Sequence, residues 1–320
     1  MQNFWATLPK PLFALAPLAN VTDAAFRRVI AKYGKPDVLF TEFVSADGLV
    51  KGNREVLLRD LLFSEAEHPI VAQFFTSTPK HMEEAATLAR DSGFDGIDIN
   101  MGCPDRSIEK QSAGAALIKN PKLAQELIFA AKQGAGPLPV SVKTRLGYNH
   151  PALDEWLPLL LEAKPAAITI HARTRKEMSK VPARWEKIAD AVKLARGSEV
   201  LIIGNGDVAD LNDARKKVSE TGCDGVMLGR AIFGNPWLFA EKIPTPEEKL
   251  QVLVEHTKLF EELLGDIKNF SIMKKHYKAY VGGFEGAKEL RMELMDVERA
   301  EEVEKIVGAF LARDKEPVLI

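Results

Sequence analysis

Eight short runs of apolar and β-branched residues recur along the chain, each followed by a polar turn and then a stretch of helical period. They begin at Leu12 (LFALAP), Val38 (VLFTEF), Ile70 (IVAQFF), Gly96 (GIDIN), Pro139 (PVSVK), Ala167 (AITIH), Val200 (VLIIG) and Gly225 (GVMLG). Near-continuous hydrophobicity suits strands buried on both faces of a parallel sheet. Successive starts lie roughly 25 to 43 residues apart, the room that a strand–loop–helix–loop unit needs. Between them, Pro79–Arg90 and Pro121–Lys132 read as helices that open with proline in the first turn. Eight such units within about 230 residues predict an α/β fold, a closed (β/α)8 TIM barrel rather than an open doubly wound sheet.

After Pro244-Thr245-Pro246 the rhythm changes. Pro246–Leu264 and Arg291–Leu311 are helical in period, with no strand between them. The expected organisation is a barrel catalytic domain over residues 1–244 and a small all-helical domain over residues 245–320.

Composition narrows the function classes. A chain of 320 residues, 46 % hydrophobic and 28 % charged, can bury one large core and a small second one. No run approaches the ~18 apolar residues of a membrane span, and Met1-Gln2-Asn3-Phe4-Trp5 lacks the basic and apolar regions of a signal peptide. The only cysteines, Cys103 and Cys223, cannot make a disulfide framework, so a reducing cytoplasm and no membrane partner are expected. Cys223, just before an apolar strand, reads as core packing. A net charge of −2 argues against a chain basic throughout and leaves room for a local basic patch.

Each strand ends in a residue with a chemical handle: Pro17, Glu42, Gln73, Asn100, Lys143, His171, Asn205 and Arg230. A ring of such residues at the carboxyl ends of the strands is where barrels build active sites. The fourth strand runs into Asn100-Met101-Gly102-Cys103-Pro104, where Gly and Pro bracket a thiol in a tight turn. An isolated cysteine is more often buried packing; its place at a strand's carboxyl end argues for exposure to the site. The turns Gly204-Asn205-Gly206-Asp207 and Gly229-Arg230-Ala231 follow strands seven and eight, where backbone N–H groups commonly hold a phosphate. Lys143 is embedded in an apolar strand, where an unpaired ammonium is costly; beside a flavin it would stabilise the anionic reduced form.

Taken together these motifs resemble the tRNA-dihydrouridine synthases, flavin enzymes that reduce particular uridines in tRNA. The resemblance rests on Ala16-Pro17-Leu18-Ala19-Asn20-Val21-Thr22-Asp23, Thr41-Glu42-Phe43, Val71-Ala72-Gln73-Phe74, the Cys103 turn and Ser112-Ala113-Gly114-Ala115-Ala116-Leu117. It continues through Val142-Lys143-Thr144-Arg145-Leu146-Gly147, His171-Ala172-Arg173-Thr174, Asn205-Gly206-Asp207 and Met227-Leu228-Gly229-Arg230-Ala231. It implies FMN contacts at Ala16, Pro17, Leu18, Gln73, Lys143 and His171, and phosphate contacts at Asn205, Gly206, Asp207, Gly229 and Arg230. Two departures bear on loop shape: Asn20 and Thr76 stand where the family usually has glycine.

The implied reaction starts with NADPH reducing FMN. Hydride then passes from the flavin N5 to C6 of uracil, and Cys103 is the expected general acid at C5. A thiol stays mostly protonated at neutral pH, as an acid should. The loop Pro104–Ala113 is long enough to move over the substrate. Substrate or RNA contacts are expected at Asn100, Arg106, Arg145 and Arg173, with Arg175 also at the barrel mouth.

A uracil inside folded tRNA must be extruded to reach the site, so the protein needs a grip on RNA outside the pocket. The candidate is Met273–Tyr280, a helical stretch ending at Gly282-Gly283, with Lys274 and Lys275 as RNA contacts and Tyr277 and Tyr280 free to pack or stack. Other expectations are tRNA as partner, no metal and a monomer. The rival readings are an FMN barrel reducing a small molecule, of the dihydroorotate or enoate type, and an RNA-binding relative that keeps its flavin as a plug.

Overall fold

The computed structural model describes residues 3–52 and 54–313. The eight apolar runs become parallel strands: β1 (Leu12–Leu15), β2 (Leu39–Ser45), β3 (Ile70–Phe75), β4 (Gly96–Asn100), β5 (Val140–Arg145), β6 (Ala167–His171), β7 (Leu201–Asn205) and β8 (Gly225–Leu228). They pair in the order β1-β8-β7-β6-β5-β4-β3-β2. The two ends meet through an Ala14–Val38 bridge, with the Leu15 N–H donating to the Val38 carbonyl at 3.1 Å. The sheet closes, and the fold is the expected (β/α)8 barrel.

Side chains alternate between barrel interior and helix layer, as the pleat requires. On β4, Ile97 and Ile99 pack in the large outer cluster, while Asp98 and Asn100 turn inward to side chains of neighbouring strands. The inward positions change character along the barrel axis. At the amino-terminal end Leu12, Ala14, Phe40, Val71 and Ile203 make an apolar plug with Trp5, from the one-turn helix Phe4–Thr7. Above it Gln73, Asp98 and Ser141 form a buried polar layer. Outside, helices Pro79–Asp91 and Pro121–Ala135 start at the predicted prolines and lie in direct contact. Gly134 permits that approach, since a Cβ there would lie 2.0 Å from the Glu83 carbonyl oxygen.

The expected boundary at 244/245 falls beside Ile243, 93 % exposed, ahead of helix Pro246–Leu264, which is sealed by a Thr245/Glu248 capping box. The tail helices share their core with the barrel. Phe260, Tyr277, Leu290 and Val303 belong to the same buried cluster as Val29 and Ile30 of helix Ala24–Tyr33. The period over Arg291–Leu311 predicts one helix, and the structure has two, Ala287–Met295 and Ala300–Arg313. Glu302 accepts the free N–H groups of Glu298 and Arg299 at the break, and Val297 stays buried, so the apolar period runs on while the backbone turns. Residues 314–320 of the expected tail domain lie outside the described residues. Among the described residues no helix is long and apolar enough to cross a membrane, and no three His, Cys, Asp or Glu side chains could hold a metal ion.

Candidate active site

A cavity of about 710 Å³ opens at the carboxyl ends of the strands, inside the usual size range for ligand sites. Pro17, Gln73, Asn100, Lys143, His171, Asn205 and Arg230 all line it, as do Ala16, Leu18, Gly206, Asp207 and Gly229. Glu42 alone of the strand-end set does not. The β2/β3 register shifts between Phe40 and Phe43, and it is Phe43 that lines the cavity. Glu42 instead accepts the Asn20 N–H at 2.5 Å and pairs with Lys268 at 2.6 Å.

Cys103 lines the same cavity on a half-buried turn. Asn100 Oδ1 accepts the N–H groups of Gly102 and Cys103 at 3.1 and 2.9 Å, and the Cys103 carbonyl accepts the Ala115 N–H at 3.0 Å. Gly114 closes the turn from behind with φ +61°, and a Cβ there would sit 2.8 Å from the Cys103 carbonyl oxygen. Burial pushes the thiol above its ordinary pKa, outweighing the pull of the Asp105 amide, Arg145 and Lys143. The sulfur is therefore a protonated thiol at neutral pH. Cys223 is buried, with Sγ 3.2 Å from the Gly225 carbonyl, a packing position.

Cationic side chains held by the scaffold line the same cavity. Burial, followed by Arg145, pulls the Lys143 ammonium down to about 8, with Asp98 opposing. Among the described residues its one hydrogen-bond partner is Asn205 Oδ1, at 3.5 Å. Burial and then the neighbouring cations Arg145, Lys143, Arg173 and Arg230 drive His171 down to about 2, so the imidazole is neutral. Arg173 Nη1 lies 3.1 Å from His171 Nε2, and a guanidinium only donates, so the ring proton is on Nδ1. Asp207 pairs with Arg173 and, at 2.7 Å, with Arg230, and it accepts the Ala183 N–H at 2.9 Å. Its carboxylate is thus committed to orienting two arginines.

Of the expected substrate or RNA contacts, Asn100, Arg145 and Arg173 line the cavity and Arg106 does not. Arg145 and Arg173 are 7 % and 2 % exposed, below the surface that an RNA backbone would touch. Arg145 donates to the carbonyls of Gly102, Thr174 and Met178, and Arg173 to that of Val181, which makes both of them braces of the cavity wall. Arg175 pairs with Glu109 and lies over the Tyr148 ring. That pair docks the loop after β4, and Ile108 and Ala113 of the loop pack against Phe75 of β3, so the expected mobile flap is anchored here. Arg106 is exposed on the short helix Arg106–Glu109, outside the cavity.

On helix Met273–Tyr280, Lys275 and Lys278 are exposed, Lys274 is half-buried, and Tyr277 and Tyr280 are fully buried packing residues. Lys268 is drawn inward to Glu42 and Asp60, and Arg291 donates to the Val281 carbonyl, so the basic surface is smaller than the sequence suggests. Thr76 is buried and donates to Asp47 at 2.8 Å, while Asn20 has φ +54°; neither lines the cavity. Phe43 and Met178 also stand in the wall, placed there by a register shift and a loop reversal that carry no local sequence signal.

Fold and site define a (β/α)8-barrel enzyme with a thiol and fixed cations facing one cavity. Solved barrels with the same fold include histamine dehydrogenase from Rhizobium sp. 4-9 (TM-score 0.55, 13 % identity, 77 % of this chain and 48 % of that one). Another is morphinone reductase in complex with tetrahydroNAD (TM-score 0.51, 15 % identity, 75 % and 90 %). The family model described as dihydrouridine synthase (Dus) matches residues 14–314, and the chain belongs to that family of oxidoreductases. It is 43 % identical over 331 residues to a "Probable tRNA-dihydrouridine synthase" of Staphylococcus aureus (strain Mu50 / ATCC 700699), covering 100 % of this chain and 99 % of the relative. It is 40 % identical over 317 residues to "Probable tRNA-dihydrouridine synthase 2" of Bacillus subtilis (strain 168), covering 97 % of each.

Proposed function

We propose that this protein is a tRNA-dihydrouridine synthase that reduces the C5–C6 double bond of specific uridines in tRNA, using FMN and, as reductant, NADPH. The observation that carries the reading is a thiol, Cys103, sharing one cavity with a half-buried ammonium, Lys143, that has spare hydrogens. The residues fit the cofactor. Lys143 is short of partners, as a cation waiting for a polar ring edge would be. Gly206 has φ +126°, which L side chains rarely adopt, and a Cβ there would press on Ala183 and His171 at 3.0 and 3.2 Å; with Gly229 and Arg230 it offers a phosphate a close backbone approach. Asn205, Gly206, Gly229 and Arg230 would hold the phosphate, Asp207 acting through its grip on the arginines. Ala16, Pro17, Leu18, Gln73, Lys143 and His171 would hold the ring.

When bound, FMN supplies hydride to C6 of the uracil. The protein's own part is the proton: Cys103 donates it to C5, and the turn bonds from Asn100 and Ala115 keep the sulfur placed. Arg145 and Arg173 stiffen the wall around the base, and Asn100 faces it from the end of β4. Outside the cavity the exposed Lys275 and Lys278, with Lys274 beside them, meet the RNA backbone. The cytoplasm and a monomeric state complete the proposal.

The test is nucleoside-resolved mapping of dihydrouridine in tRNA treated with wild-type protein and with Cys103→Ala. Wild type should modify tRNA and oxidise NADPH only when tRNA is present, and Cys103→Ala should keep its flavin and lose turnover. Full turnover by that variant removes Cys103 from the mechanism. NADPH oxidation driven by free uridine or an enone instead of tRNA favours the small-molecule reading.

A further inference from the structure

Beneath the cavity lies a carboxylate that the chemistry above does not use. Asp98 is 1 % exposed and points inward from β4. Its Oδ2 accepts from Gln73 Nε2 at 2.7 Å and its Oδ1 from the Ser141 hydroxyl at 2.6 Å. Gln73 Oε1 in turn accepts from Asn100 Nδ2 at 3.0 Å, and Asn100 Oδ1 accepts the N–H groups of Gly102 and Cys103.

The amides in such a chain cannot point either way. Backbone N–H groups only donate, so Asn100 must present its oxygen to the thiol turn and its NH2 group to Gln73. Gln73 must then present oxygen to Asn100 and NH2 to Asp98. A carboxylate only accepts, so the far end agrees with the near end. Reversing either amide would set donor against donor among residues that are 0 to 6 % exposed. Without Asp98 the relay would be anchored at one end only: Gln73 would either leave its NH2 group buried and unpaired or turn over and face Asn100 donor to donor.

We propose that Asp98 is a positioning residue whose carboxylate fixes the direction of the Gln73–Asn100 relay and thereby holds the Cys103 turn for proton donation. It rests on the reading of Cys103 as the acid. Burial raises the Asp98 carboxyl to about 6, against the pull of Ser141, Gln73 and Lys143, so it is ionised at neutral pH and both of its oxygens accept; the relay itself needs only the oxygen that faces Gln73.

Three variants separate direction, charge and bulk. Asp98→Asn keeps an oxygen for Gln73 and turns its NH2 group to Ser141, whose hydroxyl has the Ile97 carbonyl within 3.3 Å. Asp98→Leu removes the acceptor. Ser141→Ala removes a bond to the same carboxylate and leaves the relay intact. The first readout is the rate at which iodoacetamide alkylates Cys103, followed by mass spectrometry. The second is the kcat and KM for tRNA reduction.

Asp98→Leu should raise alkylation about fivefold and lower kcat about tenfold, with KM for tRNA within about twofold of wild type. Asp98→Asn and Ser141→Ala should alkylate within about twofold of wild type. If Asp98→Leu does not fold, Gln73→Met breaks the relay one link on and should reproduce the alkylation change. The proposal is overturned if the relay-breaking variant alkylates at the wild-type rate, if Ser141→Ala matches it at equal loss of stability, or if Asp98→Asn behaves like Asp98→Leu. A protein whose alkylation follows the relay but which reduces no tRNA keeps the positioning of the thiol and loses the proposed function.

Discussion

Replacing Gly114 by alanine asks how far the thiol turn depends on what stands behind it. Gly114 has φ +61°, a conformation that costs an L-residue about 1–2 kcal/mol. The new methyl would also lie 2.8 Å from the Cys103 carbonyl oxygen and 2.9 Å from Ile108 Cγ2. The carbonyl is pinned by the Ala115 N–H, so it yields only by moving the thiol turn, an overpacking cost of about 1–3 kcal/mol. The sum is a loss of about 2–5 kcal/mol. Gly197 is the matched control: φ is +82° and a Cβ there would touch nothing within 4 Å. Gly197→Ala should therefore cost only about 1–2 kcal/mol and leave catalysis unchanged. The assay is urea unfolding of both variants beside the rate of tRNA reduction. Equal stability losses, with tRNA reduction by Gly114→Ala intact, would refute the idea that this contact holds the acid in place.

Lys268→Met should destabilise the protein by about 3–5 kcal/mol in urea unfolding, because it leaves two carboxylates, on Glu42 and Asp60, without their cation. A loss under about 1 kcal/mol would place that cluster in the class of weak surface pairs. Asp98 also gives a pH signature. Its folded pKa of about 6 lies above the ordinary 3.8, so between these values the folded state binds more protons than the unfolded one and stability falls as pH rises from about 4 to about 6. Asp98→Asn should flatten this part of the profile, by roughly 2–3 kcal/mol at most, while Asp23, also held at about 6, keeps its share. Lys275→Glu should weaken tRNA binding and lower the salt slope by about one, measured by filter binding; affinity indifferent to salt would remove this helix from the RNA surface.

The barrel was legible because its signal is repeated. All eight strand starts fall within one residue of the apolar runs, since strands buried on both faces leave no polar position to blur the edge. The strand-end ring was legible for the same reason, with Glu42 the exception. A register shift in β2 hands its place to Phe43, and such a shift depends on the neighbouring strand rather than on local composition. Arginine direction was not legible. Arg145 and Arg173 are expected substrate or RNA contacts, yet carbonyls turn both side chains into the wall: Gly102, 43 residues away, for Arg145, and Val181 of the following loop for Arg173. The tyrosines of helix Met273–Tyr280 were ambiguous between packing and stacking until the helix's buried face was known. Asp98 was in view as part of the strand-four segment, but its partners Gln73 and Ser141 lie on neighbouring strands.

The apolar plug around Trp5 has a kinetic corollary. It closes the barrel at the amino-terminal end, so whatever reaches the cavity arrives and departs at the carboxyl ends of the strands. In the proposed reaction a reductant and an RNA base both come through that one opening and use the cavity in turn. Such a site works as a turnstile: an excess of either visitor slows the other, and the enzyme itself must carry the reducing equivalents across the interval between them.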